Sequence, residues 1–188
     1  MSNYILASQS PRRKQLLEWA EIDFEIMIHP TDESYPPGLQ PAEVAIYIAQ
    51  QKGEAVAGMA GTEKVIIAAD TIVVLDGEII GKPKSREDGL SILSRLSGRQ
   101  HQVITGVSIR QGEKEICFSD TTYVDFHPLS QDQIEFYFDK YQPFDKAGAY
   151  AIQEWIGVVG IRKVSGDFYN VMGLPVSRVV QALQEFNR

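Results

Sequence analysis

Short apolar runs alternate with amphipathic stretches along the whole chain, and the period of each run predicts its conformation. Runs rich in β-branched residues and bounded by turn formers predict strands over 4–7, 24–28, 65–69, 72–75 with 78–80, 102–110, 116–126 and 157–164. Apolar positions at helical spacing behind capping residues predict helices over 11–20, 41–57, 85–96, 130–141 and 176–186. Asp76-Gly77 between two apolar runs signals a tight hairpin, so part of the sheet is antiparallel. The uninterrupted run at 65–69 reads as a buried central strand. Together these elements predict a mixed α/β (α+β) fold, a twisted mixed sheet flanked by helices.

The chain of 188 residues is 44% apolar, enough to bury a core, and it contains no repeat or linker. A single domain over 1–188 is expected. Eighteen Lys and Arg stand against 25 Asp and Glu, a net charge of −7 with no basic block, which argues against a nucleic-acid partner. The start of the sequence lacks the pattern of a signal peptide, and no segment is apolar enough to span a bilayer. With one cysteine, Cys117, disulfides and thiolate metal cages are excluded, so a cytoplasmic location without membrane attachment is expected.

Several clusters carry chemistry. Ser8-Gln-Ser10-Pro11-Arg12-Arg13 reads as a loop entering a helix, with Ser10 as N-cap and Pro11 in the first turn. Such an end binds anions through free N–H groups, and two arginines there favour a phosphate over plain capping. Lys52 interrupts the helical stripe of Val44, Ile48 and Ala55, either to snorkel or to act. Asp32-Glu33 lies in a Pro- and Gly-rich loop, where two carboxylates are usually just solvated and are by themselves weak evidence for a metal. Asp70-Thr71 follows the central apolar run, so an ionised carboxylate is expected at the carboxyl end of that strand, where α/β sheets hold ligands. Gly81-Lys82-Pro83-Lys84 offers a rigid turn with two cations, Lys84 reading as surface. Asp145-Lys146-Ala-Gly148-Ala-Tyr-Ala-Ile-Gln153 offers small residues that let a ligand approach. Asp167, Asn170 and 173–175 read as turn and helix-start residues. His29, His101, His127 and Cys117 lack ligand spacing and are assigned to structure.

In order along the chain, these motifs resemble the Maf-like family of nucleoside triphosphate pyrophosphatases. The set comprises Leu6-Ala-Ser-Gln-Ser-Pro-Arg-Arg13, Asp32-Glu33, Lys52, Ala69-Asp-Thr-Ile-Val73, Gly81-Lys-Pro83, Asp145-Lys-Ala-Gly-Ala-Tyr150 with Gln153, and Gly173-Leu-Pro175. Gln9 departs from the Gly found there in many members. The resemblance implies two lobes with a central cleft, a fold similar to inosine triphosphate pyrophosphatases, a divalent metal (Mg²⁺ or Mn²⁺) and a homodimer. Arg12, Thr71 and Gln153 match the selectivity positions of the dTTP/UTP pyrophosphatase group, whereas a sister group acting on 7-methyl-GTP has Trp, Gln and Glu. A Gln amide offers both the donor and the acceptor that a uracil or thymine edge requires.

The reaction so implied is attack of water on the α-phosphorus of dTTP, UTP or a modified pyrimidine nucleotide, releasing pyrophosphate, in the service of nucleotide-pool house-cleaning. Arg13, Lys52, Lys82 and Lys146 would clamp the triphosphate, with Ser8 and Ser10 at the helix end. Glu33 would hold the metal, and Asp70 would act as its ligand or as the base. Asp70, Glu33 and Lys82 form the expected catalytic set. Two rivals share the features: an inosine/xanthosine-type purine triphosphate pyrophosphatase and a non-catalytic nucleotide-binding regulator.

Overall fold

The computed structural model describes residues 3–186. Among them a sheet of seven strands runs in the order β2-β1-β3-β5-β6-β7, with β4 paired to β3. The strands are β1 (Tyr4–Leu6), β2 (Phe24–Ile26), β3 (Val65–Leu75), β4 (Glu78–Ile80), β5 (Gln100–Gln111), β6 (Lys114–Phe126) and β7 (Ile161–Ser165). The helices are α1 (Pro11–Trp19), α2 (Pro41–Ala60), α3 (Arg86–Leu96), α4 (Gln131–Tyr141), α5 (Trp155–Gly160), α6 (Phe168–Met172) and α7 (Val176–Leu183). Parallel pairing of β1 with β2 and β3, and antiparallel pairing of β3 with β4 and β6 with β7, make this the expected mixed α/β fold. No helix among the described residues is long and apolar enough to cross a membrane.

The chain divides into two compact units, neither of them a continuous stretch. Among the described residues the first comprises 3–71, 105–120 and 173–186, and the second comprises 72–104 and 121–172. Strands β3, β5 and β6 each contribute residues to both.

In the first unit, residues two apart on a strand share a face, which gathers Ile5 and Ala7 of β1 and its exit with Ile66 and Ala68 of β3 into one core cluster. Val56 of α2 completes it, so α2 covers the face on which Asp70 also lies. Close approach of this helix depends on Gly106 in β5, since a Cβ there would sit 2.2 Å from the Ala45 backbone carbon. Gly106→Ala is therefore expected to cost about 3 kcal/mol, as overpacking against rigid backbone does. A urea midpoint equal to that of the wild type would contradict this packing account.

In the second unit the Asp76-Gly77 turn has positive φ at both residues, 52° and 82°, and joins strands in the register Val74 opposite Ile79. That geometry matches the twist of the strands it connects. Helices α3 and α4 pack so closely that a Cβ on Gly89 would fall 1.9 Å from the Phe138 ring.

Three expectations need correction. The strand expected over 157–164 begins only at Ile161, because Trp155–Gly160 is helical. Its β-branched residues suggested a strand, yet Ile156 is fully buried and a Cβ on Gly157 would lie 1.7 Å from the Ile152 carbonyl oxygen, so tertiary packing overrides propensity. Asp70 is not at a strand end, since β3 continues through Asp70-Thr71 to Leu75. Its pairing with β1 stops at Ile67, however, so the acid still lies just past the carboxyl end of the parallel part. Asp167 does start a helix, as expected, but the helix is α6, which the pattern does not predict. The Asp167 carboxylate accepts the amides of Tyr169 (2.7 Å) and Asn170 (3.3 Å), opening α6, and Asn170 is fully buried on Val103 and Thr122.

Candidate active site

The first unit gathers most of the expected site residues. Ser10 caps α1, its hydroxyl accepting the Arg13 amide at 3.5 Å, and the Ser10 amide donates to Ser8 Oγ at 3.2 Å. Position 13 faces inward one turn before Leu16 and Leu17, so Arg13 is buried while Pro11 and Lys14 are exposed. Its guanidinium donates from Nε to the Gly173 carbonyl (2.7 Å), from Nη1 to Ser8 Oγ (3.2 Å) and from Nη2 to Thr71 Oγ1 (3.0 Å). Burial lowers the Arg13 pKa from its ordinary value, Asp70 opposes that shift, Arg12 adds to it, and Glu33 again opposes it. A guanidinium stays charged under such conditions, so Arg13 is a fixed buried cation at the head of α1.

Successive strand residues point to opposite faces, so Thr71 meets Arg13 while Asp70 meets α2. The Thr71 hydroxyl also shares a hydrogen bond with Thr105 at 2.9 Å, which makes it a support for the arginine. On the other face Lys52 Nζ lies 2.6 Å from Asp70 Oδ1 and 2.8 Å from Glu33 Oε1. The lysine that broke the apolar stripe thus does not snorkel away: its side chain is only 18% exposed and bridges two carboxylates far apart in sequence. The two loop acids also separate. Asp32 folds back on the amide and hydroxyl of Ser34, a local turn, and Glu33 reaches Lys52.

Glu33 and Asp70 converge on one cationic nitrogen and offer only oxygen ligands. That donor set suits Mg²⁺ or Mn²⁺, which bind through one or two carboxylates and complete their shell with water and substrate phosphate. Among the described residues no group of three or more His, Cys, Asp or Glu forms a metal cluster.

Lys82, Lys146 and Gln153 belong to the second unit. The segments that carry them meet there, for the Gly148 amide donates to the Gly81 carbonyl at 3.2 Å. Gly148 takes φ 71°, with Val73 only 2.9 Å from where a Cβ would stand. Lys82 and Gln153 are exposed, and the Lys146 ammonium lies 2.8 Å from Asp145 and 3.7 Å from Glu154. Arg12 is half-buried on α1 in the first unit.

Sequence reasoning missed Thr105, the Gly173 carbonyl as an acceptor, and Glu154 with its partner Tyr137. Glu154 adjoins the Gln153 motif, a signal that was available, whereas nothing in the pattern of α4 distinguishes Tyr137 from core. His101 is buried against Tyr150, its Nε2 2.7 Å from the phenol oxygen, and burial draws its pKa down to about 4, whereas His29 and His127 are exposed. Burial likewise pushes the Cys117 thiol up to about 11, which leaves it a poor nucleophile.

A family profile described as Maf-like protein matches residues 3–186. A protein of Cytophaga hutchinsonii named dTTP/UTP pyrophosphatase is 51% identical over 184 residues, which cover 98% of this chain and 84% of that one. Proteins of the same name are 46% identical in Bacteroides fragilis, over 96% of this chain and 94% of that one, and 49% identical in Bacillus velezensis, over 97% and 96%. Among solved structures, the Staphylococcus aureus Ham1 protein superposes with a TM-score of 0.54 at 20% identity, covering 98% of this chain and 99% of its own, a likeness of fold alone. With the profile matched almost end to end and relatives near half identical over nearly the whole length, this chain belongs to the Maf-like family.

Proposed function

We propose that this chain is a nucleoside triphosphate pyrophosphatase that hydrolyses dTTP and UTP, and modified pyrimidine nucleotides, to the monophosphate and pyrophosphate. The observation that carries the reading is the Lys52 bridge between Glu33 and Asp70 in the unit that also holds the buried Arg13. Carboxylates beside fixed cations suit attack of water on a polyanion, and a pure binder gains little from acids there. The names of the relatives give the substrate class.

In this reading Lys52 occupies Asp70 Oδ1 and orients the carboxylate, and Asp70 takes the proton of the attacking water through its other oxygen. The water oxygen bonds to the α-phosphorus, the α–β anhydride bond breaks, and pyrophosphate departs with the bonding electrons. Arg13 steadies the Ser8–Ser10 loop through Ser8 Oγ and adds its charge to the triphosphate clamp. Lys82 neutralises charge on the leaving pyrophosphate and Lys146 binds the triphosphate, assignments that rest on family membership and on the cationic character of both residues. Glu33 would hold Mg²⁺ or Mn²⁺, with Asp70 as a second ligand in the alternative in which it is not the base, and the ion when bound neutralises phosphate oxygens. Gln153 reads the pyrimidine edge, with Arg12 and, through its bond to Arg13, Thr71 at the other selectivity positions. The same reading takes the protein as a cytoplasmic homodimer that removes unwanted nucleotides.

Pyrophosphate release measured over a panel of canonical and modified nucleotides tests the proposal. Turnover of dTTP and UTP well above that of ITP and XTP is expected, and the reverse order would install the purine-type rival. Gln153→Glu tests the base assignment. A carboxylate facing a pyrimidine carbonyl loses a donor and adds repulsion, so kcat/KM for dTTP and UTP should fall roughly 10- to 100-fold relative to 7-methyl-GTP. Parallel losses on all three substrates would remove Gln153 from base reading.

A further inference from the structure

In the second unit a buried tyrosine hydroxyl is bonded to Glu154, whose carboxylate also lies near the Lys146 ammonium. Tyr137 lies on α4, fully buried, with its ring stacked on Tyr141 at 5.0 Å between centroids. Its hydroxyl has two partners, the Ala151 amide at 3.1 Å and Glu154 Oε2. An amide N–H only donates, so the phenol oxygen accepts from Ala151 and its proton goes to Glu154. The direction of the chain of bonds is thereby fixed. Burial and the adjacent Glu154 carboxylate both raise the Tyr137 pKa, which keeps the hydroxyl protonated and donating.

Glu154 keeps its second oxygen, Oε1, 3.7 Å from Lys146 Nζ. The nearer partner of that ammonium, Asp145 at 2.8 Å, has a side chain 61% exposed, where water and ions compete for it. The Glu154 side chain is only 21% exposed and is tethered by a buried hydroxyl, so it is the more rigid of the two anchors. The Lys146 stem is itself packed, its side chain 11% exposed, so what the carboxylate beside it sets is the position of the ammonium, and re-ordering that group on binding costs affinity. Trp155, the next residue, packs edge-on against Phe136 of α4 at 4.9 Å, which holds this end of the segment to the same helix.

We propose that Tyr137 and Glu154 are positioning residues for substrate binding: the Tyr137 hydroxyl fixes the Glu154 carboxylate, and Glu154 holds the Lys146 ammonium in place to meet the triphosphate. The inference rests on the reading of Lys146 as a phosphate-binding residue.

The test is kcat and KM for dTTP, with the thermal midpoint, for wild type, Lys146→Ala, Glu154→Ala, Glu154→Gln, Tyr137→Phe and the Tyr137→Phe/Glu154→Ala pair. Glu154→Ala and Tyr137→Phe should each raise KM by about 5- to 10-fold with kcat within about 2-fold, the signature of lost binding without lost chemistry. Glu154→Gln should be milder than Glu154→Ala, because the amide oxygen still accepts from Tyr137. The double variant should show the KM of Glu154→Ala alone, since Tyr137 acts through Glu154. Loss of the Ala151 bond lowers the thermal midpoint of both variants that carry Tyr137→Phe, and this leaves the KM comparison untouched. An unchanged or lowered KM in Glu154→Ala, while Lys146→Ala raises KM, would overturn the inference and leave the phosphate-binding reading standing. Multiplying losses in the double variant would overturn the route through Glu154. An unaltered kcat/KM in Lys146→Ala would overturn the inference and the reading of Lys146 together.

Discussion

Asp70→Asn should lower kcat for dTTP by roughly 10²- to 10⁴-fold, the range set by loss of a positioned general base. The amide is nearly isosteric with the carboxylate and keeps an oxygen to accept from Lys52, so the thermal midpoint should stay close to that of the wild type. Asp70 is suited to the role by its place on β3. It lies beyond the parallel pairing with β1, on the face covered by α2, with its side chain 13% exposed. A carboxylate so shielded needs a cation, and Lys52 is that cation. Turnover near the wild-type rate would exclude Asp70 from the chemistry.

Lys52→Met should lower kcat/KM by roughly 10²- to 10³-fold, comparable to removing one preorganised electrostatic group from a reacting centre. Methionine keeps most of the aliphatic stem that packs along the α2 stripe, so the loss reports charge and orientation. With the ammonium gone, Glu33 and Asp70 no longer share a cation, and Asp70 loses the contact that aims it. Asp70→Asn and Lys52→Met should therefore be strongly non-additive, the pair costing little more than Asp70→Asn alone. Fully multiplying losses would show that Lys52 acts on the substrate independently of Asp70.

The regular elements were legible because their causes are local. Alternation and capping placed α1, α3, α4 and the 76–77 hairpin within a residue or two of where they lie. The break in the α2 stripe pointed to Lys52, and an acid after five apolar residues pointed to Asp70. What the sequence withheld depends on contacts between distant segments. Nothing local distinguishes Glu33 from Asp32, since only the fold brings Lys52 to one of them and leaves the other closing a turn on Ser34. The helical turn at Trp155–Gly160 was hidden behind β-branched residues, and α6 is too short for any period to show. Thr105 and Tyr137 are fully buried, and their hydroxyls gain meaning only from partners on distant segments.

The central claim, hydrolysis by attack at the α-phosphorus, is tested most directly by turnover of dTTP in ¹⁸O-labelled water with the products resolved by mass. Attack at the α-phosphorus yields dTMP carrying one labelled oxygen and unlabelled pyrophosphate. Label in the pyrophosphate, or orthophosphate and dTDP as the first products, would contradict it.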